Sequence, residues 1–224
     1  MKKVSIVIRT KNESFWLPKL LFAIENQSYD NIEVIVVDNE SEDDSVKIAE
    51  SFGCRIVNIT QTEFTYGRSL NMGIEVATGE YIVLISGHCV PVDDMWITNL
   101  VKSFLNNENV VGVYGKQIPL PDSSDFDKRD LWTTFGNERK VQTKDFFFHN
   151  ANSIIRKDIW DRYPFDEVTK GVEDRLWAKE MISKGYTIVY EPAAVVYHQH
   201  GIHQGRCDNR AKRVVNVIKD IYES

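Results

Sequence analysis

The chain has 224 residues, 42% hydrophobic and 27% charged, the composition of a globular protein with room for one large domain or two small ones. A net charge of −6 argues against a general nucleic-acid binder, and three widely spaced cysteines (Cys54, Cys89, Cys207) exclude a disulfide framework and fit a reducing compartment. The apolar run after the N-terminal lysines is too short and too β-branched for a signal peptide, and no apolar stretch reaches the roughly 18 residues of a membrane span, so the reading is a cytoplasmic protein, with peripheral membrane contact left open.

Val4 to Ile8 reads as a strand, followed by the polar loop Arg9-Thr10-Lys11-Asn12-Glu13. A helix is expected from about Phe15, with Leu17, Leu20, Leu21 and Ile24 at helical spacing and Pro18 in its first turn. Ile32 to Val37 is a second strand ending at Asp38, and the acidic run Asn39 to Ser45 leads into a helix closed by Gly53. Arg55 to Ile59 is a third, short strand. This alternation of buried strands and helices predicts a parallel sheet with right-handed crossovers, the architecture of a mononucleotide-binding half-domain. No GxGxxG follows the first strand and no GxxxxGK[ST] occurs, which argues against a dinucleotide fold or a P-loop.

Thr65 to Asn71 opens another helix. Tyr81 to Ile85 is then an apolar run expected to be buried on both faces, with Ser86, Gly87 and His88 at its carboxyl end, and Pro91 is expected to block any further strand ladder. Asp93 and Asp94 precede a helix carrying Trp96, Ile97, Leu100, Val101, Phe104 and Leu105, and Val110 to Tyr114 is a strand. Residues 117–145 read as an irregular, mobile loop; Phe146 to Ile155 returns to strand, Val172 to Lys184 to helix, and Ile188–Tyr190 and Val195–Tyr197 to two short strands. An amphipathic helix with Ala211, Val214, Val215, Ile218, Ile221 and Tyr222 on one face closes the chain. Docking on protein is favoured for it over an anionic membrane.

Four features carry candidate chemistry, each with a plainer alternative. Asp38 serves as a turn and cap residue, or accepts hydrogen bonds from a nucleobase. His88 is a hydrogen-bonded turn residue, or a ligand-facing imidazole beside Gly87, whose missing side chain lets a ligand approach the backbone. His198 and His200 share one face if their segment is extended, giving two metal ligands, or one ligand and one phosphate contact, or exposed histidines. Glu173 and Asp174 complement a helix dipole, or supply a general base.

Taken together, the pieces resemble a bacterial family 2 glycosyltransferase of the GT-A fold, from Val4 to about His200. The opening Val4 to Glu13, the stretch Val36-Val37-Asp38-Asn39-Glu40-Ser41-Glu42-Asp43-Asp44-Ser45, the Ala77 to Ile82 run and Gly171-Val172-Glu173-Asp174 look like that family's motifs in order. The resemblance is closest to rhamnosyltransferase-like members, through Arg9 to Glu13 and the Gly67-x-x-x-Asn71 helix start. It implies a mostly parallel sheet flanked by helices in one domain over residues 1–204, with a nucleotide-sugar half (about 1–91) and an acceptor half (92–204), followed by the C-terminal helix 205–224. It implies an inverting transfer from a nucleoside-diphosphate sugar to a hydroxyl of a glycan or lipid-linked acceptor in cell-surface polysaccharide synthesis. Asp174 would be the base beside Glu173. Thr10, Glu13, Asp38, Arg68, Asn71, Gly87, His88, Asn150 and Asn152 would contact the donor, Arg68 through paired hydrogen bonds from its guanidinium to the diphosphate.

One departure matters. Where the family carries Asp-x-Asp, this chain carries Ser86-Gly87-His88. His88 and His198, with His200 as a third candidate, could bind a divalent metal, Mn²⁺ in preference to Mg²⁺, because imidazole suits a borderline ion better than a hard one. Alternatively, His88 contacts the diphosphate directly without metal, or the protein is a non-catalytic sugar-nucleotide or glycan-binding module.

Overall fold

The computed structural model describes residues 1–105, 107–169, 171–202 and 216. In chain order the elements are β1 (Val4–Thr10), α1 (Leu17–Glu25), β2 (Ile32–Asp38), α2 (Ser45–Ser51), β3 (Arg55–Asn58), α3 (Tyr66–Glu75), β4 (Tyr81–Ser86), β5 (Cys89–Pro91) and α4 (Trp96–Val101). They continue as β6 (Val110–Pro119), α5 (Asp125–Thr134), β7 (Lys140–Gln142), β8 (Asn152–Arg156), α6 (Lys157–Trp160), α7 (Glu173–Ser183) and β9 (Thr187–His198). Apart from Asn216, the helix expected over residues 205–224 lies outside the described residues. Among the described residues no helix is long and apolar enough to cross a membrane.

The strands form one sheet in the order β3-β2-β1-β4-β8-β6-β9-β5, with β7 also on β9. The first four strands pair in parallel, as their continuous apolar runs predict. β8 then enters antiparallel to both β4 and β6, and β6 pairs parallel with β9. Alternation along the strands divides the core in two. Ile6, Ile8, Val36, Val83 and Ile85 face α1 and α4, while Val7, Ile35, Val37, Ile82 and Leu84 face α3 and α7. Each such fully buried aliphatic side chain contributes about 1.5–3 kcal/mol of transfer free energy.

Several expectations need correction. Pro91 is itself part of a ladder: it is the last residue of β5, which pairs antiparallel with β9 at the sheet edge, where the missing N–H is tolerated. Residues 117–145 are not one loop: β6 runs on to Pro119, and α5 and β7 follow. α5 is capped by Ser124, whose hydroxyl accepts from Asp127 N at 3.2 Å. Phe146 to Ala151 is not strand; pairing begins only at Asn152. The two short strands near the end are one, β9, whose pairing with β6 shifts register between Gly115 and Lys116.

Candidate active site

The carboxyl ends of β1, β4 and β9 and the start of α7 surround a cavity of about 380 Å³. Thr10, Glu13, Ser86, His88, His198 and His200 line one part of it, and Arg9, Tyr66, Asn150, Glu173 and Asp174 another.

Local folding explains how Glu13 and His88 arrive there. The acidic stretch after β2 staples the loop after β1. Asp43 accepts hydrogen bonds from Ser14 N and Ser45 N, Ser45 Oγ accepts from Glu13 N, and Ser41 Oγ accepts from Asn12 N. Burial pushes the Asp43 carboxyl up, but the hydrogen bonds from Ser45 and Ser14 outweigh it and hold the group at about 2. Glu13 so fixed lies 2.6 Å from His88 Nδ1. Gly87 makes room for this contact. A Cβ there would meet Glu13 Cγ at 3.1 Å, Arg9 O and Thr10 Oγ1 at 3.2 Å. The close approach at Gly87 is thus made by β1 and its loop.

His88, His198 and His200 form one cluster, each offering a ring nitrogen within 4.8 Å of the other two. The His88 and His198 rings stack at 5.2 Å, and His200 tilts against both at 4.7 and 4.5 Å. In each ring Nδ1 meets an acceptor: Glu13 for His88, Gln117 Oε1 at 2.7 Å for His198, and Gly201 O at 2.8 Å for His200. Protonated Nδ1 leaves Nε2 as the nitrogen that can bind a metal.

Across the cavity, Glu173 and Asp174 begin α7 and are both buried. Burial, then the neighbouring Glu173 carboxylate, pushes Asp174 up to about 7. Asn150 N donates to Asp174 Oδ2 at 3.3 Å, and Asn150 Nδ2 donates to Glu173 Oε1 at 3.5 Å. Arg9 Nη1 is 3.9 Å from Glu173 Oε1, and its guanidinium lies over the Tyr66 ring at 4.9 Å. The preceding residue, Val172, has φ +101°, a conformation that a β-branched residue adopts only under constraint.

The remaining sequence candidates divide clearly. Asp38 does not line the cavity but precedes the lining residue Asn39 in the chain; its Oδ2 accepts from Ser41 N at 3.0 Å. Its buried Oδ1, Asn39 Oδ1 and Thr10 Oγ1 have no hydrogen-bond partner among the described residues. Gly87 and three other candidates also lie outside the lining. Arg68 turns to Glu63 at 3.8 Å and Glu167 at 3.5 Å. Asn71 is a buried clasp: it donates to Phe165 O and Glu167 Oε1 and accepts from Trp160 Nε1 and Phe165 N. Asn152 is likewise committed, accepting from Trp96 Nε1 and donating to Lys116 O and Ala194 O. With no amide group left over, neither is disposed to orient a sugar.

The sequence matches the model of Glycosyl transferase family 2 over residues 5–163. The chain belongs to glycosyl transferase family 2. It is 26% identical over 210 residues to the O-antigen chain rhamnosyltransferase RfbN of Salmonella typhimurium, covering 88% of this chain and 67% of that protein. The corresponding values for the O-antigen chain rhamnosyltransferase WbaN of Salmonella anatum are 25% over 189 residues, 80% and 60%. The chain thus spans about two thirds of the length of these relatives. Among solved structures, the mannosyltransferase PcManGT from Pyrobaculum calidifontis, in complex with GDP-Man and Mn²⁺, superposes with a TM-score of 0.76. It is 20% identical, and the match covers all of this chain and 65% of that one. TarS of S. aureus gives 0.71 at 17% identity, over 88% and 60%. The fold of this family 2 member is GT-A, as the resemblance implies.

The donor set at this cavity fits a divalent cation. Three imidazoles converge, each with Nδ1 satisfied by an acceptor, an arrangement typical of metal-ligating histidines. Among the lining residues that were not singled out as site candidates from sequence are Arg9, Tyr66, His149 and Arg175. For Arg9 a signal existed, since it ends the first parallel strand on the ligand-facing edge of the sheet. The others depend on contacts between distant segments.

Proposed function

We propose that this domain is an inverting glycosyltransferase that moves one sugar from a nucleoside-diphosphate donor to a hydroxyl of a glycan or lipid-linked saccharide. What carries the reading is one cavity holding both a convergent imidazole cluster and a buried carboxyl pushed up to about 7. The names of the curated relatives support cell-surface polysaccharide synthesis as the setting, with a rhamnosyl donor as the first to test. Action in the cytoplasm, at the inner face of the membrane, would suit a lipid-linked acceptor.

In this reading residues 1–91 hold the nucleotide and residues 92–204 the acceptor, within one domain over 1–204. Asp38, Asn39 and Thr10 offer their unpartnered oxygens to the base and ribose. Arg9 takes the role toward the diphosphate that the sequence pointed to for Arg68. It lines the cavity, and its Nε and Nη1 have no hydrogen-bond partner among the described residues. A divalent cation held by His88, His198 and His200 would supply positive charge to the departing diphosphate, and this all-nitrogen donor set favours Mn²⁺ over Mg²⁺.

Asp174 accepts the acceptor's hydroxyl proton as that oxygen attacks the anomeric carbon and the bond to the diphosphate oxygen breaks, with inversion at that carbon. A carboxyl held near 7 is a stronger base than an ordinary carboxylate and still ionises at neutral pH. Arg9, whose Nη1 is 3.9 Å from Glu173 Oε1, places a positive charge beside this pair of acids. The test is incubation with dTDP-, UDP- and GDP-sugars and saccharide acceptors, with the product's anomeric configuration read by NMR. A product of inverted configuration supports the mechanism. Retention would refute it, and nucleotide binding without turnover on any acceptor would favour the binding-module reading.

A further inference from the structure

Gln117 belongs to none of the motifs that mark the site, yet it is fully buried beside it. It sits on β6 opposite Val196 of β9, two residues before His198, so Gln117 and His198 are diagonal neighbours on one sheet face. Its Oε1 is 2.7 Å from His198 Nδ1, and its Nε2 is 2.8 Å from His149 Nδ1. An amide oxygen can only accept and an amide nitrogen can only donate. In this orientation the proton of His198 is therefore on Nδ1, leaving Nε2 as a lone-pair donor, while His149 accepts on Nδ1 and carries its proton on Nε2. One buried amide sets two imidazoles in opposite senses. Turning the amide over would move the His198 proton to Nε2 and close that ring to a metal ion.

We propose that Gln117 is the positioning residue of the imidazole cluster, fixing His198 as an Nε2 metal ligand and His149 as an Nε2–H donor on the cavity wall. Glu13 does for His88 what Gln117 does for His198, but Gln117 acts without a charge. The proposal rests on the reading of the cluster as a metal site.

Two measurements on the full chain test it. Histidine ¹⁵N–¹H NMR of the metal-free protein, assigned with His149→Gln and His198→Gln, should show His198 protonated on Nδ1 and His149 on Nε2; the reverse pattern overturns the proposal. Co²⁺ titration, followed by visible absorption and calorimetry, should show one ion per unmodified chain. Gln117→Leu should weaken that binding about 10- to 100-fold, the usual cost of losing a ligand's hydrogen-bond partner. Gln117→Glu keeps an acceptor for His198 and should bind Co²⁺ nearly as the unmodified chain does. Unchanged Co²⁺ affinity in folded Gln117→Leu, or equal losses in both variants, overturns the positioning role. No Co²⁺ binding by the unmodified chain overturns the metal reading itself, whereas the NMR pattern still tests the role of Gln117 in setting the tautomers.

Discussion

The imidazole cluster and the carboxylate pair face one cavity but are held in opposite ways. Each ring of the cluster has an acceptor on Nδ1, so its orientation is satisfied before any ligand arrives. Glu173 and Asp174 are two buried acids side by side, introduced by a valine at φ +101°, with an arginine 3.9 Å away as partial compensation. A binding site gains from rings already in place, because less order has to be created when the ligand arrives. A base gains from the reverse: burial and a like-charged neighbour make the carboxylate costly, and accepting a proton relieves that cost.

The sharpest way to break this contrast is Asp174→Asn. It should lower the transfer rate about 10²–10⁴-fold while leaving nucleotide binding intact, as measured by product formation and calorimetry. The same variant should alter the pH dependence of stability. Asp174 is raised in the folded state to about 7, so the folded chain holds that proton more tightly than the unfolded one. Its contribution is full below the ordinary carboxylate range and is lost as pH rises toward 7. Thermal melts across this window should show a decline that Asp174→Asn removes, and transfer by the parent should rise with pH through about 7.

Breaking the other side, His198→Ala should abolish one-to-one Co²⁺ binding and reduce transfer about 10²-fold or more, through lost charge at the leaving diphosphate. The two arginines sharpen the contrast further. Arg9→Met should weaken nucleoside-diphosphate binding about 10- to 100-fold, the range for a charged hydrogen bond. Asn152→Ala should act on the fold instead, lowering stability by about 1–3 kcal/mol in denaturant titration, because it strands the Trp96 indole N–H and two carbonyls. Arg68→Ala should do least. Its ion pairs are exposed and worth about 0–1 kcal/mol, and nucleotide affinity should not change.

The parallel half of the sheet was legible because β1, β2 and β4 are buried apolar runs, which have few alternatives to a covered strand. Residues 117–145 were not, because α5 buries just one residue, Leu131, and leaves almost no apolar stripe to read. Phe146 to Phe148 misled in the opposite way. Aromatic side chains there pack into the α3–α7 core from an irregular backbone, and composition alone does not separate that from a strand. At the site, His88, His198 and His200 were legible as candidate ligands because they follow strands on the ligand-facing edge. The direction of Arg68 was not legible, because one of the two acidic side chains its guanidinium turns to, Glu167, is distant in the chain. Gln117 became visible only through the pairing of β6 with β9, and His149 through its contact with Gln117, neither of which a local pattern encodes.

The most direct test of the account is calorimetric titration of dTDP, UDP, GDP and CMP into metal-free protein in EDTA, Mg²⁺ or Mn²⁺. The account predicts that one nucleoside diphosphate binds, and binds at least about tenfold, or 1.4 kcal/mol, more tightly with Mn²⁺ than with Mg²⁺ or EDTA. Equal affinity in all three would contradict it, because the histidine cluster would then have no part as a metal site in holding the donor.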